Sequence, residues 1–156
     1  MSKEKELEEF ARKLQEQIME QLKQQYSETV IQHWQNPKNF QRIEHPDGYG
    51  KVTGSCGDTM EMFVRFKEDR ISHCSFMTDG CGTTIVCGSI ATEIAQGKTF
   101  TEALGTVTGE EILKRCGGLP EESVHCAFLA SETLRRALAD CLYQQRSGWK
   151  KHYRKT

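Results

Sequence analysis

The sequence predicts an α+β fold, a small antiparallel sheet of about three strands covered on one face by helices, with an extra long helix at the N-terminus. Three observations predict it. Apolar residues recur at helical spacing through the first thirty or so positions, two central stretches alternate with a period of two, and the second half returns to helical periodicity punctuated by caps and glycines. A chain of 156 residues is the size of one domain with appendages. The expected division is an N-terminal helical extension over 1–34, a central domain over 35–146 and a basic tail over 147–156.

Over residues 3–34, Leu7, Phe10, Leu14, Ile18, Leu22, Tyr26 and Val30 form a narrow apolar stripe on an otherwise Lys, Glu, Arg and Gln surface. Such a stripe suits either docking along the domain or pairing with a second copy of the chain. The helix should stop at Asn36-Pro37, because proline pushes the preceding residue out of the α region. Residues 36–50, with two prolines and two glycines, read as an ordered turn and a loop. From Thr59 to Lys67, Met60, Met62, Val64 and Phe66 alternate with more polar neighbours, which predicts a strand with one buried face. Ile71 to Thr78 alternates after the polar turn Glu68-Asp69-Arg70, so the two form a hairpin.

A helix follows over 82–96, closed by Gly97. Thr99 with Glu102, and Thr108 with Glu111, are capping pairs opening two short helices, the second ending at Gly117-Gly118. The last helix runs from about Val124 to Gln145, with Phe128, Leu129, Leu134, Leu138 and Leu142 inward, before a frayed tail.

Composition narrows the function. Lys and Arg (21) nearly cancel Asp and Glu (22), a formal net charge of -1, so charge favours neither nucleic acid nor an anionic membrane. No apolar run approaches the ~20 residues that span a bilayer, and the start of the chain does not read as a signal peptide. The expected location is the cytoplasm. There, seven cysteines are better read as metal ligands or reactive thiols than as disulfides, and an odd number cannot pair completely.

The cysteines fall into two sets. Cys74, Cys87, Cys116 and Cys141 lie within elements or against a helix-ending glycine pair, and read as small buried hydrophobes. Cys56, Cys81 and Cys126 sit at element junctions among small residues, two of them at helix starts, where free amides and the helix dipole lower a thiol pKa. Asp58 stands two residues from Cys56, and His125 adjoins Cys126. Three thiols, a carboxylate and an imidazole suit zinc or an iron–sulfur cluster. A structural zinc site closes on four firm ligands, often in CxxC pairs that are missing here. A surplus of ligands of mixed hardness permits exchange, as a carrier needs.

Asn36-Pro37-Lys38-Asn39, Gly54-Ser55-Cys56-Gly57-Asp58, Gly80-Cys81-Gly82, Gly97-Lys98-Thr99, Leu119-Pro120 and His125-Cys126, taken in order, resemble the IscU/NifU-type iron–sulfur cluster assembly scaffolds. The resemblance covers about residues 26–145. It implies cluster ligation by Cys56, Cys81 and Cys126, with Asp58 keeping the cluster labile and His125 beside the last ligand. It further implies sulfur delivered as persulfide by a cysteine desulfurase, with Cys126 as acceptor. A [2Fe-2S] cluster built with iron would pass to recipient apo-proteins, and zinc can occupy the same site. Such a chain is a scaffold and carrier, not an enzyme. The rival is a zinc-dependent, SufU-like sulfurtransferase, whose relatives tend to carry an insertion before the third cysteine and to lack the histidine. Leu119-Pro120-Glu121-Glu122-Ser123 departs from the Leu-Pro-Pro-Val-Lys stretch of members served by a dedicated Hsp70-type chaperone, which argues against that partner.

Overall fold

The computed structural model describes the backbone of residues 2–154 and the side chains of residues 2–145. Where the stripe predicts one N-terminal helix there are two, α1 (Lys3–Gln25) and α2 (Glu28–Gln35). Tyr26 is extended, and the Ser27 hydroxyl caps α2 by accepting the Val30 amide at 3.2 Å. The same hydroxyl donates to the Cys116 carbonyl at 2.5 Å, fastening α2 to the core. Val30 and Ile31 are therefore buried, whereas α1 buries no residue. The packed body thus includes α2, ahead of residue 35, while α1 buries nothing against it.

The sheet is β1 (Gly48–Thr53), β2 (Thr59–Lys67) and β3 (Arg70–Thr78), antiparallel in the order β1-β2-β3. Met60, Met62 and Val64 of β2 and Cys74 and Phe76 of β3 face inward, paired as Met62↔Phe76 and Val64↔Cys74. A bulge between Arg65 and Phe66 shifts the phase, which turns Ile71 inward as well. β1 begins inside the stretch the sequence suggests is a loop. It is a strand without apolar alternation because the last helix, α6 (Val124–Arg154), lies too close for side chains: a β-carbon at Gly50 would sit 2.5 Å from the Ala137 amide nitrogen.

Two helices cover the sheet, α3 (Gly82–Ala95) and, after a 3-10 turn at Glu121–Ser123, α6, while α4 (Phe100–Thr106) packs on α3 and α5 (Gly109–Cys116) on α3 and α6. Both capping pairs form, Thr99 with Glu102 as a full box and Thr108 accepting the Glu111 amide at 3.1 Å. Gly97 and Gly117 supply the left-handed turns that end α3 and α5. Two inward assignments on α6 are corrected, since Phe128 is 43% and Leu142 45% exposed. The helix also continues to Arg154 where a frayed tail was expected; side chains beyond residue 145 and residues 155–156 lie outside the described residues. Among the described residues, no helix is long and apolar enough to cross a membrane.

Cys74, Cys87, Cys116 and Cys141 are all buried free thiols. Burial pushes the Cys74 thiol from 9.0 up to about 12. The unfolded chain then releases this proton from pH 9.0 while the folded chain holds it, so stability is whole below 9.0 and is lost as pH rises toward about 12. A melting temperature flat in neutral buffer and falling above pH about 9 is expected, with a shallower fall in Cys74→Ala.

Candidate metal centre

Three chain junctions meet at one end of the sheet. The first is the turn between β1 and β2, closed by the Gly54 amide on the Asp58 carbonyl at 2.8 Å, with Gly57 at φ 90°. This turn, not an extended segment, presents Cys56 and Asp58. The second is the start of α3, where Cys81 is the N-cap residue. The Asp79 carboxylate and the Thr78 hydroxyl pin this junction to β2 through the Thr59 amide (2.8 Å) and the Thr59 carbonyl (2.7 Å). The third is the first turn of α6, carrying His125 and Cys126.

All five candidate side chains join one hydrogen-bonded cluster. Cys56 Sγ lies 3.0 Å from His125 Nε2, which lies 3.6 Å from Cys126 Sγ. Thr84 links the remainder. Its Oγ1 donates to Asp58 Oδ2 at 3.1 Å and sits 3.4 Å from Cys126 Sγ and 3.6 Å from Cys81 Sγ. Thr84 is fully buried and is the site residue missed at the level of sequence. A signal for it exists. Thr84 is the third residue after the Cys81 cap, the position whose side chain folds back toward the cap residue.

The thiols differ. Cys56 and Cys81 are exposed, while Cys126 is only 1% exposed. Burial raises the Cys81 pKa, but the Thr84 amide and hydroxyl and the Thr83 amide together outweigh it, and the net shift is downward. For Cys126 the helix-start expectation is overturned. Burial, then the neighbouring Cys81, Cys56 and Asp58 charges, push it up to about 11 against the Thr84 hydroxyl. Trp34 walls the Cys81 side, its indole occupying the place a side chain at Gly82 would need.

Among the described residues, no three His, Cys, Asp or Glu side chains already stand where they could hold a metal ion together. Asp58 and the Cys81 and Cys126 thiols are engaged by Thr84, and Cys56 by His125. Among the described residues, these groups are held by hydrogen bonds and do not form a closed four-ligand site.

The NifU-like N-terminal domain family matches residues 25–149. The iron-sulfur cluster assembly scaffold protein IscU 1 of Archaeoglobus fulgidus is 44% identical over 116 residues, covering 74% of this chain and 75% of that protein. The scaffold protein IscU of Aquifex aeolicus is 36% identical over 124 residues, 78% of each chain. Among solved structures, a putative iron-sulfur cluster assembly scaffold protein for the SUF system from Fervidobacterium islandicum superposes with TM-score 0.59 at 25% identity, over 72% of this chain and 96% of that one. With a match across most of its length and relatives at this level of identity, the chain belongs to the NifU-like N-terminal domain family, of the IscU type.

Proposed function

We propose that the protein is a scaffold on which a transient [2Fe-2S] cluster is assembled from iron and desulfurase-derived sulfur, then passed to apo-proteins. The observation that carries this is the meeting of Cys56, Asp58, Cys81, His125 and Cys126 around two mediators, the Thr84 hydroxyl and the His125 ring. The donor set fits the cargo. Soft sulfurs hold iron or zinc, and a single hard carboxylate gives a weak position from which a cluster can depart. Free cysteines throughout the described residues accord with a reducing, cytoplasmic setting.

In this reading Cys126 accepts sulfur. Its thiolate attacks the outer sulfur of the donor's persulfide, forming the new S–S bond and returning the donor cysteine as thiolate. The Cys126 thiol, pushed up to about 11, must lose its proton first, and His125 Nε2, 3.6 Å away, can take it once released from Cys56. Access requires the exposed turn carrying Cys56 to part from His125. The SufU-like alternative, zinc with one cysteine exchanging onto sulfur, uses the same residues, but His125 beside Cys126 favours the scaffold.

Anaerobic reconstitution with iron and sulfide should give a chromophore that moves to an apo-ferredoxin. A colourless product that retains zinc supports the sulfurtransferase instead. Asp58→Ala should slow cluster loss by about tenfold, because the weak oxygen ligand is gone and the Thr84 hydroxyl turns to sulfur; faster loss would make Asp58 a holding ligand. Thr84→Val keeps the shape and removes the hydroxyl. Zinc affinity, read by competition with a chromophoric chelator, should fall about 10-fold or more, with Thr84→Ser restoring it.

A further inference from the structure

Helix α1 carries an apolar stripe from Leu7 to Ile18 that the described fold leaves exposed. Leu7, Phe10, Leu14 and Ile18 are 67%, 68%, 47% and 48% exposed, and no α1 residue is buried. Its contact with the body lies toward its C-terminal end, where Gln35 of α2 donates to Met19 Sδ at 3.5 Å beside Ile18. In proteins most helical stability comes from packing an amphipathic face, which the body does not supply to this stretch of α1.

We propose that α1 pairs with α1 of a second copy as a short parallel coiled coil. The seam is Leu7, Ala11, Leu14 and Ile18, spaced four, three and four residues apart. Leu thus falls at d (Leu7, Leu14) and Ile at a (Ile18), the arrangement that favours two parallel strands. Gln21 and Gln25 continue the seam as polar residues, so the pairing loosens toward the bodies. Charge selects the direction. In the parallel register Lys3 at g opposes Glu8 at the following e position of the partner, twice by symmetry, whereas the antiparallel register sets both against glutamine.

Balance and area select the occupant. Helix α1 carries five basic and six acidic side chains, so two copies neither repel strongly nor call for a partner of opposite charge. The four exposed apolar side chains present on the order of 400 Å² per chain, a patch of the size that marks association surfaces. Two such faces with their polar flanks approach the roughly 1,000 Å² that a specific interface needs. Parallel pairing also sets both bodies, and both metal centres, at the same end of the coil.

The test uses the full metal-free chain, so its outcome is independent of what the site carries. Sedimentation should show a mass rising from one copy to two with concentration. Leu14→Lys should weaken association by about a hundredfold or more with unchanged helicity of the body. Air oxidation of Leu14→Cys should link position 14 to its own counterpart, identified by peptide mass mapping. A single-copy mass at every concentration, a dimer indifferent to Leu14→Lys, or the absence of the symmetric link would each overturn the proposal.

Discussion

Cys81→Ser is expected to leave a folded protein that cannot retain an iron–sulfur chromophore. Cys81 is exposed at the α3 N-terminus, so exchanging its sulfur for a hydroxyl disturbs little packing. The hydroxyl is a poor donor to iron in such a cluster. Loss of an outer partner alone costs about 10–100-fold in metal affinity, so loss of a thiolate should shorten cluster lifetime more than about a hundredfold. Cys126→Ser should behave alike and should also abolish persulfide on the scaffold, read by intact mass after exposure to a loaded desulfurase. Cys74→Ala, in the core on β3, should keep the chromophore per folded molecule. A Cys81→Ser protein that retains its colour would remove Cys81 from the site.

A large loss of stability is expected from Gly50→Ala. A β-carbon there would lie 2.5 Å from the Ala137 amide nitrogen and 2.6 Å from the Thr133 carbonyl, both backbone atoms of α6 that no rotamer change can move. β1 and α6 must separate. The neighbouring tie, the Tyr49 amide on Asp140 Oδ2 at 2.9 Å, is strained with them. Overpacking of this kind costs about 3 kcal/mol, which for a chain of this length lowers the melting temperature by roughly 6–12 °C. An unchanged melting temperature would show that β1 stands off α6 in solution. Because the β1–β2 turn carries Cys56 and Asp58, the same variant should also weaken zinc binding.

These two positions mark the limits of legibility in the sequence. Cys81 was visible because its signal is local, a thiol between glycines at the head of an apolar helical run. Gly50 was not, because its reason for being glycine lies on α6, far along the chain. β2, β3 and the helices opened by Thr99 and Thr108 followed from alternation and capping chemistry, which act within a few residues. The break at Tyr26-Ser27 was hidden because the apolar spacing of four runs through it, although Ser27 is itself a capping residue.

Within the centre, pattern located the ligand types and geometry supplied what joins them. Thr84 has only a weak local signal, its place three residues after the Cys81 cap, because a threonine near a helix start is ordinary. Only folding sets its hydroxyl among Asp58, Cys81 and Cys126. The contrast between the exposed Cys81 and the buried Cys126 also depends on tertiary packing, since both occupy helix-start positions in sequence.

Iron, zinc and acid-labile sulfide measured on anaerobically reconstituted protein, with the absorption spectrum of the same sample, test the central claim most directly. Iron and sulfide should be present in equal amounts with a sulfur-to-iron charge-transfer spectrum, and both should be lost in Cys81→Ser. Zinc without sulfide in a colourless protein, unaltered by that substitution, would contradict that claim.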